Sequence, residues 1–563
     1  MRKFPIGLSN FKRVIQDNYY YIDKSLFIED VIESNAISIL IPRPRRFGKT
    51  LNMSMLHAFF DVKKEKENKS LFEKLKIRQS EAWKHQGKYP VIYLSFKDVK
   101  ENSFNDAIKN IHHLCLDWLK ENEFIFNSEK LGQFDKQFLN NLIKSDWNSV
   151  SLSSFLKTIS SILYNIYDQK VVILIDEYDS CIIKSWEAGY YQDMISFMRG
   201  FLSGGFKDND YLYKGVITGI LRVAKESIFS GLNNLVVSTV LENQSADKFG
   251  LTEDEVKNLL QEVNISAAFD DIKKWYNGYK IGQHTGMYNP WSILNFVDKH
   301  DEGFKPYWVN TSANELIEVL LTNANADLEK KLTGFIDGQV MECEIDETTI
   351  FQDLDNGKEK TVLGLLLFNG YLTTEYTNRI EDRVLYGLKI PNVEVNSVYK
   401  QMLERLLSKS TEVSESTILS ALLEQDAKEF EYALSEYMLT SFSFHDVQHK
   451  GSLPEKVYHA FILGLMAHLS TRFIVKSNPE TGLGRADLMI YPKDNNDPRG
   501  WVLEFKKLKR SSPPINELAQ EAMQQIHSSK YITTLKENNK TELMLVGVAF
   551  DGKEVSCVTE LVS

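Results

Sequence analysis

Four short apolar runs in the first part of the chain constrain its fold more than any other feature. Each run is rich in Ile, Val and Leu and is bounded by polar or turn-forming residues. Strands that are apolar along their whole length are typical of parallel sheets covered by helices on both faces. Helix-like stretches separate the runs, so the sequence predicts an α/β fold built on a parallel sheet. The runs are residues 36–41, 90–96, 171–175 and 215–219.

The first run leads into the sequence IPRPRRFGKT, residues 41–50, and helical spacing follows in residues 51–60. A phosphate-binding loop requires this order of strand, loop and helix, because backbone N–H groups and the helix N-terminus together hold the anion. In such a loop Gly48 belongs to the phosphate cradle, Lys49 neutralises the β- and γ-phosphates, and Thr50 offers its hydroxyl to Mg²⁺.

The loop departs from the GxxxxGK[ST] pattern, because Arg43 stands where that pattern has its first glycine. The glycine permits a tight turn, and here Pro42 and Pro44 could fix the loop shape instead. Arg45 and Arg46 add charge near the phosphates in one interpretation and belong to a solvated loop in the other. The loop is therefore a candidate ATP site, and its own sequence does not decide whether the site is complete.

The third apolar run ends in two carboxylates, Asp176 and Glu177, within the sequence VVILIDEYDS. Carboxylates at the end of a buried strand are what Mg²⁺ and an attacking water need in a nucleotidase. Asp176 is the predicted Mg²⁺ ligand, directly or through water, and Glu177 is predicted to orient or deprotonate the water. Together with the GKT triplet, this motif favours a site for ATP and Mg²⁺ over coincidence.

A second set of candidate residues lies in the sequence GRADLMIYPKDNNDPRGWVLEFKK, residues 484–507, which reads as a hairpin around a polar turn. Glu504 and Lys506 are two residues apart and therefore share one face of the second strand. If Asp487 begins the first strand on that face, two carboxylates and an ammonium group converge. Phosphodiester hydrolysis needs such a set, because carboxylates bind Mg²⁺ while a lysine positions water or stabilises charge. The carbonyl of Phe505 is a further candidate metal ligand.

Several stretches together resemble a known family, the AAA-ATPase-like proteins of bacteria that carry a C-terminal PD-(D/E)XK nuclease domain. The resemblance implies that RRFGKT is a family trait and not a defective loop. It also implies that Thr218 and Arg222 sense the γ-phosphate, whereas a helical ion pair between Arg222 and Glu226 explains the arginine equally well. The stretches are IGLSNFKRVIQDNYYYIDKSLFI, RPRRFGKT, PVIYLSF, LIDEYD, TGILRVAKESIFSGLNNL, WYNGYKIG and YNPWSILNF.

The D-x16-E-x-K spacing in the C-terminal hairpin is similar to the core of that nuclease domain, with Ala486 where the family name has proline. Members of the family often add a metal-binding glutamate from a preceding helix, which maps to Glu455. A helix-start carboxylate that faces the helix dipole is the alternative interpretation of Glu455. Gln525 and Tyr531 likewise match a family helix that faces the active site.

The middle of the chain loses its strand signals from about residue 251 and reads as a helical lid or connector. Amphipathic helices are predicted in residues 253–263, 313–321 and 398–423. A small winged hairpin is predicted from residues 363–372 and 384–391. The chain thus divides into a predicted ATPase-like domain, a helical connector and a nuclease-like domain, at residues 1–250, 251–434 and 435–563.

Composition limits the partners and the location. The four cysteines are far apart, no apolar run is long enough to span a membrane, and the start does not resemble a signal peptide. We therefore expect a soluble cytoplasmic protein. The net charge of −11 argues against a general nucleic-acid coat, but KKLKR at residues 506–510 is locally basic. That patch fits a solvated strand end and a phosphate-contacting surface about equally.

These observations favour an enzyme with two functions, in which an ATP-driven module is joined to a Mg²⁺-dependent nuclease that acts on DNA in preference to RNA. The alternative is a nucleotide-switched binding or adaptor protein whose nuclease-like tail does not cut. The acidic net charge favours the alternative, whereas the intact set of Asp487, Glu504 and Lys506 favours cleavage. A protein-remodelling ATPase ranks third because no pore-loop signature is evident. A homo-oligomer is compatible with each function.

Overall fold

The computed structural model forms two compact units, each described below by itself. The first comprises Met1–Thr311 with Val340–Val395, and the second comprises Ser312–Gln339 with Asn396–Ser563. These units do not decide the domain boundaries near residues 250 and 435, which stay predictions. The structure describes residues 2–144, 149–222, 235–265, 269–308, 326–347, 358–381, 383–408, 415–441, 473–477, 480–481, 484–485, 487–508, 512–528, 531–551 and 554–562.

A five-stranded parallel sheet lies at the centre of the first unit, as the apolar runs predict. Its strand order is β2-β3-β4-β1-β5, and every neighbouring pair is parallel. β1 and β3 are buried along their whole length, which means that both faces of the sheet are covered. The strands are β1 Ser38–Pro42, β2 Val91–Ser95, β3 Val171–Asp176, β4 Leu212–Gly219 and β5 Leu235–Val237.

The described helices are numbered α1 to α20 in chain order across both units. Of the amphipathic helix predicted at residues 398–423, the described parts are helical, at Val393–Ser408 and Glu415–Leu423, and residues 409–414 lie outside the described residues. The helix predicted at 313–321 also lies outside them. The helices are Phe11–Gln16, Phe27–Glu33, Lys49–Phe60, Glu65–Lys69, Phe104–Lys120, Gln133–Ile143, Ser149–Ser153, Phe155–Tyr167, Ser180–Glu187, Tyr191–Phe206, Glu253–Glu262, Phe269–Tyr276, Pro290–Asp298, Ala326–Ile336, Glu359–Asn369, Val393–Ser408, Glu415–Leu423, Ala427–Ser441, Ile515–Ser528 and Tyr531–Glu537.

The rest of the first unit contains two small antiparallel sheets. One is a hairpin of β6 Tyr279–Ile281 and β7 His284–Met287, and the other has the order β8-β10-β9. Short 3-10 helices complete the unit at Val62–Lys64, Ser70–Phe72, Lys76–Gln79, Glu81–His85, Glu123–Asn127 and His300–Glu302. The strands of the second sheet are β8 Met341–Cys343, β9 Thr373–Ile380 and β10 Arg383–Lys389.

The predicted winged hairpin is right for its second strand and wrong for its first. Residues 363–372 belong mostly to the buried helix α15, which ends at Gly370 in a left-handed conformation. The run LGLLLF is rich in leucine, a good helix former, and lacks the β-branched residues that favour strands. The hairpin is formed instead by β9 and β10, which follow that helix directly.

A mixed five-stranded sheet forms the centre of the second unit, in the order β11-β14-β15-β16-β17. Only β15 and β16 run parallel, and the other neighbours are antiparallel. The predicted hairpin is confirmed as β14 and β15, and α19 packs on the sheet, with Leu518, Ala519 and Ala522 buried. The strands are β11 Phe473–Ser477, β12 Glu480–Thr481, β13 Gly484–Arg485, β14 Leu488–Pro492, β15 Arg499–Lys507, β16 Glu542–Asp551 and β17 Glu554–Val562.

Within the described ranges, no helix has both the length and the apolar character that crossing a membrane takes.

Candidate nucleotide and nuclease sites

The loop between β1 and α3 has the geometry of an anion site. Gly48 caps the helix in a left-handed conformation with a φ of 85°. This conformation favours glycine because of the backbone alone, since a Cβ at this position would meet no atom within 4 Å. The first turn of the 12-residue helix leaves backbone N–H groups without partners inside the helix. These donors and the positive end of the helix dipole suit a phosphate group.

Arg43, at the position of the expected glycine, is fully buried and fixes the base of this loop. Its guanidinium donates to the carbonyls of Pro42 at 3.0 Å and Gln244 at 3.2 Å, and to both the carbonyl and the hydroxyl of Ser238. It also lies 5.2 Å from the centre of the Phe249 ring. Burial lowers the pKa of Arg43 to about 9, so the side chain remains a cation at neutral pH.

Lys49 lies where this loop meets the carboxylates that follow β3. Its ammonium group donates to the carbonyls of Arg43 at 3.0 Å and Pro44 at 3.1 Å and is buried. Burial lowers the pKa of Lys49, and the nearby charges of Glu177, Asp179 and Asp176 oppose that shift. The predicted phosphate-binding lysine is thus close to the predicted carboxylates.

Asp176 ends β3 and is completely buried beside Thr218 at the end of β4. The Thr218 hydroxyl donates to its Oδ1 at 2.6 Å, whereas Oδ2 has no hydrogen-bond partner among the described residues. Burial raises the pKa of Asp176, and the hydroxyls of Thr218 and Thr50 act against that rise. An unsatisfied carboxylate oxygen beside a threonine hydroxyl is the oxygen donor set that Mg²⁺ prefers, so these residues fit the ion.

Glu177, the predicted water-orienting residue, follows Asp176 directly and has a backbone φ of 50°. This left-handed conformation is uncommon for a residue other than glycine and tends to occur at functional sites. The Glu177 side chain is partly exposed and accepts a hydrogen bond from the Ser180 hydroxyl at 3.3 Å. The Glu177 side chain is therefore partly exposed, whereas the neighbouring Asp176 is buried.

Asp179 also belongs to the site, although the sequence analysis did not select it. Its Oδ2 accepts hydrogen bonds from the backbone N–H groups of Ile220 at 2.7 Å and Leu221 at 2.8 Å. A Cβ on Gly219 would lie 2.6 Å from its Oδ1, so glycine is needed for this approach. Asp179 thus fixes the chain between Thr218 and Arg222. The second aspartate of DEYD was the sequence signal for it.

Arg222, the predicted γ-phosphate sensor, forms an ion pair with Glu347 at 3.2 Å. Glu347 also accepts a hydrogen bond from the Tyr386 hydroxyl at 3.1 Å. The alternative partner, Glu226, lies outside the described residues. Both side chains of the pair are partly exposed, at 26% for Arg222 and 41% for Glu347, and exposed ion pairs of this kind are weak.

Arg46 is held by the segment that contains the sequence YNPW. Its guanidinium lies 3.8 Å from the centre of the Trp291 ring, a close cation–π contact. In the same segment, the Asn289 side chain donates to the carbonyl of Arg45 at 3.3 Å and accepts from the Trp291 backbone N–H at 2.9 Å. The structure thus holds Arg46 within the loop, with its guanidinium against an aromatic ring.

An apolar cleft of about 540 Å³ opens beside Gly48. It is bounded by the chain before β1, by the start of α3 and by the segments near residues 250 and 290. Concave sites with mostly apolar walls are typical of binding sites for small organic ligands. The walls include Tyr20, Ile22, Leu51, Leu251, Pro290 and Leu294.

In the second unit, the structure brings Asp487 and Glu504 to the same place. Leu488 pairs with Leu503 in the antiparallel register of β14 and β15, so Asp487 is opposite Glu504. Side chains at opposite positions of an antiparallel pair share a face and lie close together. The Asp487 carboxylate also accepts a hydrogen bond from the backbone N–H of Phe505 at 2.8 Å.

Gln525 of α19 connects two of the predicted catalytic side chains. Its amide nitrogen donates to Glu504, and its amide oxygen accepts from the ammonium group of Lys506. Lys506 lies 4.0 Å from Glu504 directly. Two carboxylates that face one side of a strand pair fit Mg²⁺, although the described residues contain no cluster of three or more metal-ligating side chains.

Two other predicted residues of this site cannot be placed beside it. Glu455 lies outside the described residues, so its role as a metal ligand stays a prediction. Tyr531 is the first residue of α20, and its side chain is not described.

Comparison with known proteins identifies a family for each of two regions of the chain. Residues 5–229 match the family model described as a predicted AAA-ATPase, and residues 453–560 match the model for the PD-(D/E)XK nuclease superfamily. The chain therefore carries an AAA-ATPase-like domain and a C-terminal domain of the PD-(D/E)XK nuclease superfamily, as the sequence resemblance predicts.

Two individual proteins are also similar to this chain. A protein of Azotobacter chroococcum mcd 1, named as an uncharacterized protein in the vnfD 5′ region, is 28% identical over 419 residues, which are 74% of this chain and 73% of that protein. The Walker-type ATPase PABY2304 of Pyrococcus abyssi is 14% identical, with a TM-score of 0.33 over 67% of this chain and 94% of that one.

Proposed function

We propose that the first unit binds ATP with Mg²⁺ and hydrolyses it, and that the second unit hydrolyses phosphodiester bonds in nucleic acid, with DNA preferred to RNA. The observation that carries the ATPase proposal is the buried Asp176 Oδ2, which has no hydrogen-bond partner among the described residues, beside a glycine-capped helix N-terminus and Lys49. We also propose that the protein is cytoplasmic and that it can self-associate.

In the proposed ATPase, backbone N–H groups of the loop and the Lys49 ammonium hold the phosphates. Asp176 and Thr50 would hold Mg²⁺, which neutralises phosphate charge when it is bound. Glu177 would orient the attacking water or accept its proton. Arg222 would exchange Glu347 for the γ-phosphate, since both partners are anions.

The apolar cleft beside Gly48 would receive the base of the nucleotide. The cleft adjoins the loop that would hold the phosphates, so one ligand could occupy both. Tyr20 lies in its wall, where an aromatic ring can contact a base.

In the proposed nuclease, Asp487 and Glu504 would hold Mg²⁺, which polarises the phosphate and lowers the pKa of bound water. Lys506 would position the attacking water or stabilise the charge that develops on phosphate. Gln525 keeps Lys506 and Glu504 in fixed positions through its two hydrogen bonds. We further propose that the nucleotide state of the first unit controls cleavage.

A nucleotide-switched binding protein with a non-cleaving tail is the second candidate function. The net charge of −11 favours it, because a nuclease has to attract a polyanion. The deep burial of Glu504, whose side chain is only 3% exposed, also fits a structural carboxylate. In this alternative the first unit still binds ATP.

The test measures ATP binding and the cleavage of linear DNA, single-stranded DNA and RNA with Mg²⁺ or Mn²⁺, in the presence and absence of ATP. Glu504→Gln removes the charge of the proposed metal ligand, and Lys49→Met removes the phosphate-binding ammonium. Glu542→Gln is the matched control, because Glu542 is exposed at the opposite end of the same sheet.

Cleavage that is lost in Glu504→Gln and kept in Glu542→Gln supports the nuclease. No cleavage by any form, together with ATP binding that depends on Lys49, overturns the nuclease and establishes the binding protein. Failure of the wild type to bind ATP overturns the proposal for the first unit. Cleavage at equal rates with and without ATP overturns control by nucleotide.

A further inference from the structure

The phosphate loop contains a buried cation that neither the proposed ATPase chemistry nor the usual loop pattern uses. Arg43 is 0% exposed, and all of its hydrogen-bond acceptors are neutral oxygens. No carboxylate pairs with it in the part of the chain that the structure describes, and burial alone accounts for its lowered pKa. Such a residue is costly to bury, so its interactions have to compensate.

Three of these four hydrogen bonds go to one segment, residues 238–249. They join Arg43 to the carbonyl and hydroxyl of Ser238 and to the carbonyl of Gln244, while the ring of Phe249 covers the guanidinium. The residue directly after this segment also contacts the loop, since the backbone N–H of Gly250 donates to the Phe47 carbonyl at 3.1 Å. The loop is therefore attached to this segment at both of its ends.

The backbone of Arg43 also determines where Lys49 can lie. The carbonyls of Arg43 and Pro44 accept the two hydrogen bonds of the Lys49 ammonium group. A change in the position of Arg43 would move these carbonyls, and with them the ammonium that the phosphates would contact.

We infer that Arg43 replaces the expected glycine as a positioning residue, that it ties the phosphate loop to residues 238–249, and that nucleotide binding depends on this tie. The inference rests on the proposed ATP site. It implies that glycine, the residue of the usual pattern, is harmful at this position in this chain. It also implies that a bound nucleotide stabilises residues 238–249, because the loop and the segment move together.

The test compares ATP dissociation constants of the wild type, Arg43→Gly and Arg43→Lys, with thermal unfolding to monitor folding. Loss of several charge-assisted hydrogen bonds should weaken ATP binding by Arg43→Gly roughly tenfold or more. Arg43→Lys should be intermediate, because lysine keeps the charge but not the planar set of donors. Arg379→Gly on the exposed strand β9 is the control for an arginine-to-glycine change elsewhere in the unit.

Hydrogen exchange supplies a readout that a merely structural role of Arg43 would not change. ATP should slow amide exchange in residues 238–249 of the wild type and should not do so in Arg43→Gly. If Arg43→Gly fails to fold, Ser238→Ala decides the matter, because it removes one acceptor of Arg43 and should weaken ATP binding by roughly threefold.

ATP binding by Arg43→Gly as tight as in the wild type, or tighter, would overturn the inference, since the usual pattern would then suffice. If Arg43→Gly does not fold, ATP binding by Ser238→Ala that is as tight as in the wild type would also overturn the inference. A wild type that does not bind ATP is a different result, because it removes the proposed function on which the inference rests.

Discussion

The nucleotide site and the nuclease-like site both contain a buried carboxylate, but they hold it differently. Within the described residues, Asp176 has one oxygen bound by Thr218 and one oxygen without a hydrogen bond. Glu504 instead accepts a hydrogen bond from Gln525, which also holds Lys506. Both sites thus fix one carboxylate oxygen by a hydrogen bond, but in the second site the same amide side chain also fixes a lysine.

This difference determines what a substitution should cost at each site. A buried carboxylate with an unsatisfied oxygen lowers the stability of the fold, so it indicates a role in binding. A carboxylate in a hydrogen-bonded chain contributes to local order as well, so its loss affects both structure and chemistry. Four predictions test this contrast.

The largest effect is expected for Asp176→Asn. The change keeps the size of the side chain but removes the charge that would hold Mg²⁺, so ATP hydrolysis should fall by roughly 100-fold or more. Burial raises the pKa of Asp176, which shows that its ionised form is unfavourable in the fold. The melting temperature should therefore stay the same or rise. A parallel loss of hydrolysis and stability would show that Asp176 is structural.

Glu394 shows how a buried carboxyl of the same unit behaves when both of its oxygens are satisfied. It accepts hydrogen bonds from the Ser292 hydroxyl at 2.7 Å and the Trp308 backbone N–H at 2.8 Å. Burial raises its pKa from 4.5 to about 7. The native state thus keeps a proton that the unfolded state releases between these pH values, and stability is lost as pH rises through this window.

We expect Glu394→Gln to remove this loss, which amounts to at most about 3 kcal/mol in the free energy of unfolding. Urea unfolding at pH 5 and pH 8 measures it: the wild type should be less stable at pH 8 than the variant, while the two differ little at pH 5. ATP binding should not change. An equal pH dependence in both proteins would contradict the assignment.

Gln525→Ala should lower the nuclease rate by roughly tenfold, because residues that orient metal ligands typically contribute 10- to 100-fold. The loss should appear in kcat with little change in KM, since Gln525 holds Glu504 and Lys506 and would not touch the substrate. Steady-state cleavage kinetics measure kcat and KM separately. A variant as active as the wild type would mean that the hydrogen-bonded chain has no part in catalysis.

The smallest effect is expected for Glu347→Gln, which releases Arg222 from its ion pair. The pair is partly exposed and therefore worth less than about 1 kcal/mol. ATP hydrolysis should rise about two- to threefold, because Arg222 no longer has to leave the Glu347 carboxylate before it contacts the γ-phosphate. Single-turnover rates would reveal the change. A lower rate would indicate that Glu347 itself takes part in the reaction.

The central sheet and the positions of the key carboxylates were predictable from the sequence. Continuous apolar runs identified the strands, and strand ends in a parallel sheet meet at one edge, so Asp176 had to lie near the phosphate loop. The two-residue alternation of a strand likewise put Glu504 and Lys506 on one face. These inferences need only local patterns.

The contacts that complete the sites were not predictable, because they join residues far apart in the chain. Nothing near Arg43 indicates that its acceptors lie at Ser238 and Gln244. Similarly, Arg222 pairs with Glu347, which is more than a hundred residues away in the sequence, whereas the sequence pattern indicated Glu226, four positions away. Such pairings are set by tertiary packing. The helix Glu359–Asn369 was missed because a short apolar run fits both a strand and a buried helix.

The cation–π contact of Arg46 with Trp291 has an optical consequence. An indole ring is the main fluorophore of a protein, and its emission responds to a charge placed over its face. The Arg46 guanidinium is 3.8 Å from this ring and adjoins the proposed phosphate site. A ligand that attracts Arg46 would therefore change the light emitted by Trp291, so this ring would report ligand binding at the loop.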